Sequence, residues 1–370
     1  MTLNVTKLGL KQVINASGKM TILGVSKVSE GVLAAQRFGG EHFFEMSDLA
    51  VKTGAYLAKL LQVEDVQIVS SASAGIAQSV AAVIGQGSLF HLYHPFSDKI
   101  QRREIILPKG HNVDYGTPVE LMVQQGGGQV VEAGYANMCS ADHMSQMISP
   151  QTAAILYIKS HHTVQKSMLS VKEAAQVAKQ AGLPLIMDAA AEEDLFRYIQ
   201  EGADLVIYSG AKALSGPSAG LVIGRKELVE WVRLQSKGIG RSMKIGKENI
   251  LGLTQAVEEY LAEGSESGAS MQQRLEPFIA ALNQIAGLSA DIVQDGAGRD
   301  IYRARLRVKS GQTALEVIKK LKADEPAIYT REYQANHGII EFDIRAVTDT
   351  EMQLIANRLK EIMNPEEPKE

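Results

Sequence analysis

The sequence predicts an α/β chain: a large, mostly parallel sheet followed by a smaller C-terminal α+β domain. Two observations carry this expectation. From Val66 to Gly224, short runs of continuous apolar residues alternate with stretches of helical period. Strands apolar on both faces, with helices between them, are what a parallel sheet covered on both sides requires. From Gln272 onward, alternating strands and amphipathic helices fill about a hundred residues, a usual size for a small domain.

The elements follow in order. Val66–Ser70 reads as a strand and Ala74–Ile84, small in side chain and helical in period, as a helix. Glu104–Leu107 is the second strand. Thr117 is the expected cap of a helix over Pro118–Gln125, with proline at the first helical position. Gln129–Glu132 is a strand, Ala141–Ile148 a helix, and Ala153–Ile158 a buried strand. Val171–Ala181 is a helix stopped by Gly182. Pro184–Asp188, Asp204–Tyr208 and Gly220–Gly224 complete the strand series. Trp231–Glu263 reads as a long, charged helical connector. Beyond it come a helix over Gln272–Ile285, a strand over Tyr302–Val308 and a helix over Ala314–Leu321. Ala327–Glu332 and Gly338–Ile344 read as a strand pair, Glu351–Met363 as the last helix, and NPEEPKE as a frayed tail.

Composition narrows the function classes. The 370 residues are 45% hydrophobic and 22% charged, a globular rather than a disordered balance. The net charge of −4 argues against a generally basic nucleic-acid binder. Cys139 is the single cysteine, so no internal disulfide or multi-cysteine metal site is available; with the methionines it reads as core filling. No apolar run reaches the roughly 18 residues that suggest a membrane span. The mixed, polar N-terminus does not read as a signal peptide. The expectation is a soluble cytoplasmic protein.

Open parallel sheets bind ligands at the carboxyl ends of their strands, and three features fall there. Ser70–Gly75 (SSASAG) joins a strand to a helix, where small residues and a helix N-terminus suit an anion; a plain small-residue turn is the alternative. Asp188 ends a buried strand, where a carboxylate is costly unless paired, or else caps a helix. Lys212 follows the next strand within Tyr208–Gly224, a run of serine, glycine and alanine. A desolvated lysine is what Schiff-base chemistry needs; an exposed loop lysine is the alternative. Together, a phosphate loop, a strand-end aspartate and a lysine 24 positions later (212 − 188) form a pyridoxal 5'-phosphate arrangement. In it the lysine holds the cofactor and the aspartate keeps the pyridine nitrogen protonated.

This order and spacing resemble the aspartate-aminotransferase-like, fold type I enzymes over nearly the whole chain. INASGKMTILG (Ile14–Gly24), SGAKALSGPSAG, GRSMKIGKEN (Gly240–Asn249) and PAIYTREYQANHGIIEFDIRAV resemble the selenocysteine synthase (SelA)-like group. SSASAG and KGHNVDYG look like its D-glucosaminate-6-phosphate ammonia-lyase branch rather than the seryl-tRNA enzymes. Those enzymes carry a further N-terminal tRNA-contacting domain; this chain starts almost at INASG, so no nucleic-acid partner is expected.

The resemblance implies a domain plan: an N-terminal arm over 1–45, a large cofactor-binding domain over 46–250, and a connector with the small domain over 251–370. It also implies site residues. Ser73, Ala74, Gly75 and Ser209 would hold the cofactor phosphate, Ser209 being otherwise a turn cap. His111 would stack on the pyridine ring, or be a loop histidine. Arg331 is preferred over Arg345 for the substrate carboxylate, which arginine binds as a bidentate pair. Arg241, Lys244 and Lys247 would hold a substrate phosphate, or form a solvated helix start. His161 and His162 suit acid/base work or substrate contact, and no third ligand points to a metal. The implied activity is an α,β-elimination (dehydration followed by hydrolytic deamination) of a phosphorylated amino sugar acid by a homodimer or higher oligomer. The rivals are another reaction of the same cofactor (seryl transfer, aldol cleavage, racemisation) and a non-catalytic binding protein. The presence of both Asp188 and Lys212 argues against the last.

Overall fold

The computed structural model describes residues 3–296 and 299–364. The charged tail from residue 365 on lies outside the described residues. Contacts gather the chain into two units. One runs from Val28 to Gly264. The other joins the residues up to Lys27 with those from Ser265 onward.

The described strands are β1 (Val13–Ala16), β2 (Asp65–Val69), β3 (Glu104–Pro108), β4 (Gln129–Ala133), β5 (Thr152–Ile158) and β6 (Leu185–Asp188). They continue with β7 (Leu205–Ser209), β8 (Gly220–Gly224), β9 (Leu288–Gln294), β10 (Tyr302–Val308), β11 (Ala327–Thr330) and β12 (Ile339–Asp343). Seven form the large sheet, in the order β2-β8-β7-β6-β5-β3-β4. β4, β3, β5, β6 and β7 are mutually parallel, and β8 runs antiparallel to both β7 and β2.

Alternation along these strands feeds two cores, one on each face. Ile106, Ile155, Tyr157, Met187 and Val206 point to one; Ile105, Leu107, Leu156, Ile186 and Ile207 point to the other. A sheet buried on both faces explains why its strands read as unbroken apolar runs. All seven residues of β5 are buried. The helix Ala72–Gly85 is buried at every position from Ala74 to Gly85, which its small side chains permit. Elsewhere side chains set the helix ends: Ser170 and Glu173 form a capping box at the start of Val171–Gln180.

In the other unit, β9, β10 and β12 form an antiparallel sheet whose core includes Leu275, Phe278, Leu306, Phe342 and Ile355. β1 pairs in parallel with β11, Val13 opposite Ala327. This pairing ties the first residues of the chain to the C-terminal part.

Several expectations are corrected. The connector is not one helix: Lys226–Leu234 ends in two 3-10 turns before Lys247–Glu263 begins. The strands over 327–332 and 338–344, expected as a pair, are not ladder partners. β11 partners β1 and β12 partners β10, with only an Arg331–Glu341 bridge between them. Thr117 is not the cap expected; Pro118 holds the N-cap position, without a side-chain bond, and the helix is Val119–Gln125. The helix after Ser140 is short, Ala141–Ser145. Cys139 is buried in the core as expected. No helix among the described residues is long and apolar enough to cross a membrane.

Candidate active site

The carboxyl ends of β2, β3, β5, β6 and β7 lie along one edge of the large sheet and carry or are followed by Ser73, His111, His161, Asp188 and Lys212 of the residues singled out in the sequence. At β2, Ser70 and Ser71 lead into Ala72–Gly85, and Ser71 Oγ accepts from the Ala74 N–H at 3.0 Å. The Gly75 N–H donates to Ser71 O at 2.9 Å. Ala74 and Gly75 therefore have their amides occupied, and both are buried. The first-turn N–H groups of Ala72 and Ser73 are the ones helix geometry leaves for an anion. Gly75 is needed for packing, since a Cβ there would sit 2.9 Å from Ile207 Cγ2. Gly220, on β8, is required more strictly: a Cβ would collide with the Ser71 carbonyl and press on this turn.

Asp188 ends β6 between Ile158 of β5 and Ile207 of β7, and is 6% exposed. Its Oδ1 accepts from the Ala190 N–H at 3.1 Å. Burial raises its pKa from 3.8 to about 6, against the pull of the Ala190 N–H and of the Lys212 charge. Lys212 is half-buried in the turn after β7, its N–H donating to Ser209 O at 3.4 Å. The loop is closed by Gly210 N–H to Ala219 O and Gly216 N–H to Gly210 O, each 2.8 Å. Ser209 is half-buried and its N–H donates to Ala190 O, so the lysine turn and the aspartate strand end are joined.

His111 follows β3 and is 0% exposed. Its Nδ1 accepts from the Ile158 N–H at 3.4 Å, so Nε2 carries the proton and donates to Val164 O at 3.1 Å. Its ring meets Tyr157 edge-on, 4.6 Å between centroids. Burial lowers its pKa from 6.5 to about 4, against the Val164 bond and with the help of Lys159. It is a neutral, enclosed histidine.

Sequence reading missed Tyr115, four residues on. Its hydroxyl is buried without a hydrogen-bond partner. Burial, then the Asp188 charge, push its pKa up to about 12, while Ser73 stands close enough to ease ionisation without meeting hydrogen-bond geometry. A tyrosine in a glycine-containing loop gives no signal of this in the sequence.

His161 and His162 are exposed on the loop after β5, their rings 3.9 Å apart. The same loop supplies Val164 O to His111. No group of three or more metal-ligating side chains occurs among the described residues. Arg241 and Lys244 are exposed. Between them, Met243 Sδ lies 4.0 Å from Gln78 Nε2 on the helix Ala72–Gly85. Lys247 does not join them: it donates to the Gly39 and Gly40 carbonyls.

Within the smaller unit, Arg345 is a bidentate partner of Asp343 at 2.9 and 2.8 Å. Arg331 is less compensated. Nη1 reaches Ser17 O at 3.4 Å, Glu341 is 3.8 Å from Nε, and Nε is buried without a hydrogen bond. Burial, then the like charge of Arg303, lower its pKa. It lacks the close carboxylate that Arg345 has.

The large-unit residues fit pyridoxal phosphate. Asp188 is a buried carboxyl group whose charge burial disfavours, Lys212 is near enough to favour that charge, and the Tyr115 hydroxyl is buried without a partner near Ser73 in the first turn of the helix Ala72–Gly85.

Comparison with known proteins agrees. The chain is 46% identical to a D-glucosaminate-6-phosphate ammonia lyase of Salmonella typhimurium over 98% of both chains. It is 37% identical to a 5'-C-glycyluridine monooxygenase-decarboxylase of Streptomyces sp, over 98% of this chain and 92% of the other. A solved D-glucosaminate-6-phosphate ammonia-lyase, 46% identical, matches 98% of this chain and 99% of its own with a TM-score of 0.92. Thermus thermophilus aspartate aminotransferase, at 14% identity, covers 97% of this chain and 93% of its own at TM-score 0.53, which shows a shared fold. The family model described as L-seryl-tRNA selenium transferase matches residues 55–275, and the chain belongs to this SelA family.

Proposed function

We propose that the protein is a pyridoxal-phosphate-dependent ammonia-lyase that converts D-glucosaminate 6-phosphate to 2-keto-3-deoxy-6-phosphogluconate and ammonia. The observation that carries the substrate is the 46% identity over 98% of the chain to a lyase of that name. The cofactor rests on the buried Asp188 beside Lys212.

Bound pyridoxal phosphate supplies an electron sink for the pair left at Cα. Asp188, once it faces a cationic ring nitrogen, stays ionised and holds that proton in place. The Lys212 amine takes the Cα proton as general base. The C3 hydroxyl leaves as water, with His161 assigned as the proton donor. The released enamine takes a proton at C3, and the resulting imine is hydrolysed to the keto acid and ammonia. One water leaves and one returns, so the net products are the keto acid and ammonia. We assign Arg331 to the substrate carboxylate, and Arg241 and Lys244 to its phosphate. Cytoplasmic location and assembly as a homo-oligomer belong to the same reading. The exposed Phe38, Phe43 and Met46 support the latter.

A second reading, oxidative decarboxylation, is favoured by the 37% identity to the monooxygenase-decarboxylase. Cofactor-loaded protein given D-glucosaminate 6-phosphate in an oxygen-electrode cell separates them. Equal release of ammonia and 2-oxo acid without oxygen uptake supports the lyase. Oxygen uptake with carbon dioxide release supports the alternative. Serine and seryl-tRNA serve as parallel substrates for the transfer reaction.

A further inference from the structure

We propose that Tyr115 is a cofactor-binding residue whose hydroxyl donates a hydrogen bond to the phosphate of bound pyridoxal phosphate, beside Ser73. The inference rests on the cofactor reading above and not on the choice of substrate. Its hydroxyl oxygen is buried and has no hydrogen-bond partner. Native structures rarely leave such a group unsatisfied, so each one calls for a partner or a role. The hydroxyl is within electrostatic reach of two groups assigned to opposite ends of the cofactor. Ser73, in the first turn of Ala72–Gly85, is near enough to ease its ionisation, and Asp188 near enough to oppose it.

Its position is set by the protein. The loop is pinned by an Asp114–Pro118 bridge, by Tyr115 N–H to Thr117 O at 3.3 Å, and by Gly116 N–H to Asp114 Oδ1 at 2.7 Å. The ring packs on the core that includes Val119 and Val123. A phenol with its pKa pushed up to about 12 stays protonated, so toward a phosphate dianion it is a donor. His111, the residue of this loop singled out in the sequence, has both ring nitrogens engaged by backbone and offers a ligand no donor.

The test is a visible-absorbance titration of full-length, cofactor-depleted wild-type and Tyr115→Phe protein with pyridoxal phosphate and with pyridoxal. Pyridoxal keeps the aldehyde that reacts with Lys212 but has no phosphate. The expected result is affinity for pyridoxal phosphate weaker by about 10-fold or more, as for a lost bond to a charged group, with affinity for pyridoxal unchanged. The cofactor-free variant should melt no lower than wild type, since it loses only an unpaired hydroxyl. Equal weakening for both ligands, or none for the phosphate ester, would overturn the phosphate assignment. Failure of wild-type protein to bind pyridoxal phosphate would overturn the cofactor reading itself. No outcome depends on which substrate is turned over.

Discussion

Burial shifts the pKa of two ionisable residues at the site in opposite directions, each toward its neutral form. Asp188 is raised from 3.8 to about 6 and His111 lowered from 6.5 to about 4. For Asp188 the folded state binds more protons than the unfolded between about pH 4 and 6, so stability falls as pH rises through that window. For His111 the unfolded state binds more protons between about 4 and 6.5, so its contribution rises with pH. In wild type the two slopes oppose one another. Urea unfolding of cofactor-free Asp188→Asn from pH 4 to 6.5 should show a steeper rise with pH than wild type, by on the order of 3 kcal/mol across the window. Identical slopes would contradict a buried, proton-hungry Asp188. Lys212→Ala should remove both the visible band of the lysine-bound cofactor and turnover; retained turnover would sink the proposed role of Lys212. At this scale the placement of Asp188 at one strand end and of Lys212 just after the next was legible, because strand pattern and spacing survive without coordinates. Tyr115 was not legible: which loop side chain ends buried without a partner is decided only when Ser73, Asp188 and the loop meet.

Among the elements, the turn from β2 into the helix Ala72–Gly85 depends on a neighbour in space. Gly220 lies on β8, beside this turn, and any Cβ there would press on the Ser71 backbone. Gly220→Ala should therefore weaken pyridoxal phosphate binding and cost about 1–3 kcal/mol of stability, as overpacking does. Fluorescence titration and denaturant melts check both; a variant with wild-type affinity would show that the turn yields without loss. The large-sheet strands were readable from apolar runs because burial on both faces leaves little room for polar residues. The β1–β11 pairing was not readable, since Val13 and Ala327 meet through a contact that no local pattern encodes. The connector was misread because amphipathic period continues across Gly238 and Gly240, where the backbone breaks into 3-10 turns.

At the scale of the molecule, a doubly covered sheet carries the residues assigned to the cofactor in one unit, and a second unit groups the described residues up to Lys27 with those from Ser265 onward. Composition and strand pattern foretold the α/β class. They did not foretell that the residues up to Lys27 belong with those from Ser265 onward, because domain membership follows long-range pairing. The measurement that tests the chemistry most directly is turnover of D-glucosaminate 6-phosphate in deuterium oxide, with the product read by mass spectrometry and ammonia counted in parallel. Elimination through Lys212 and Asp188 should give one ammonia per 2-keto-3-deoxy acid and one solvent deuterium at C3. Ammonia released without deuterium at C3, or a keto acid that keeps its C3 hydroxyl, would contradict it.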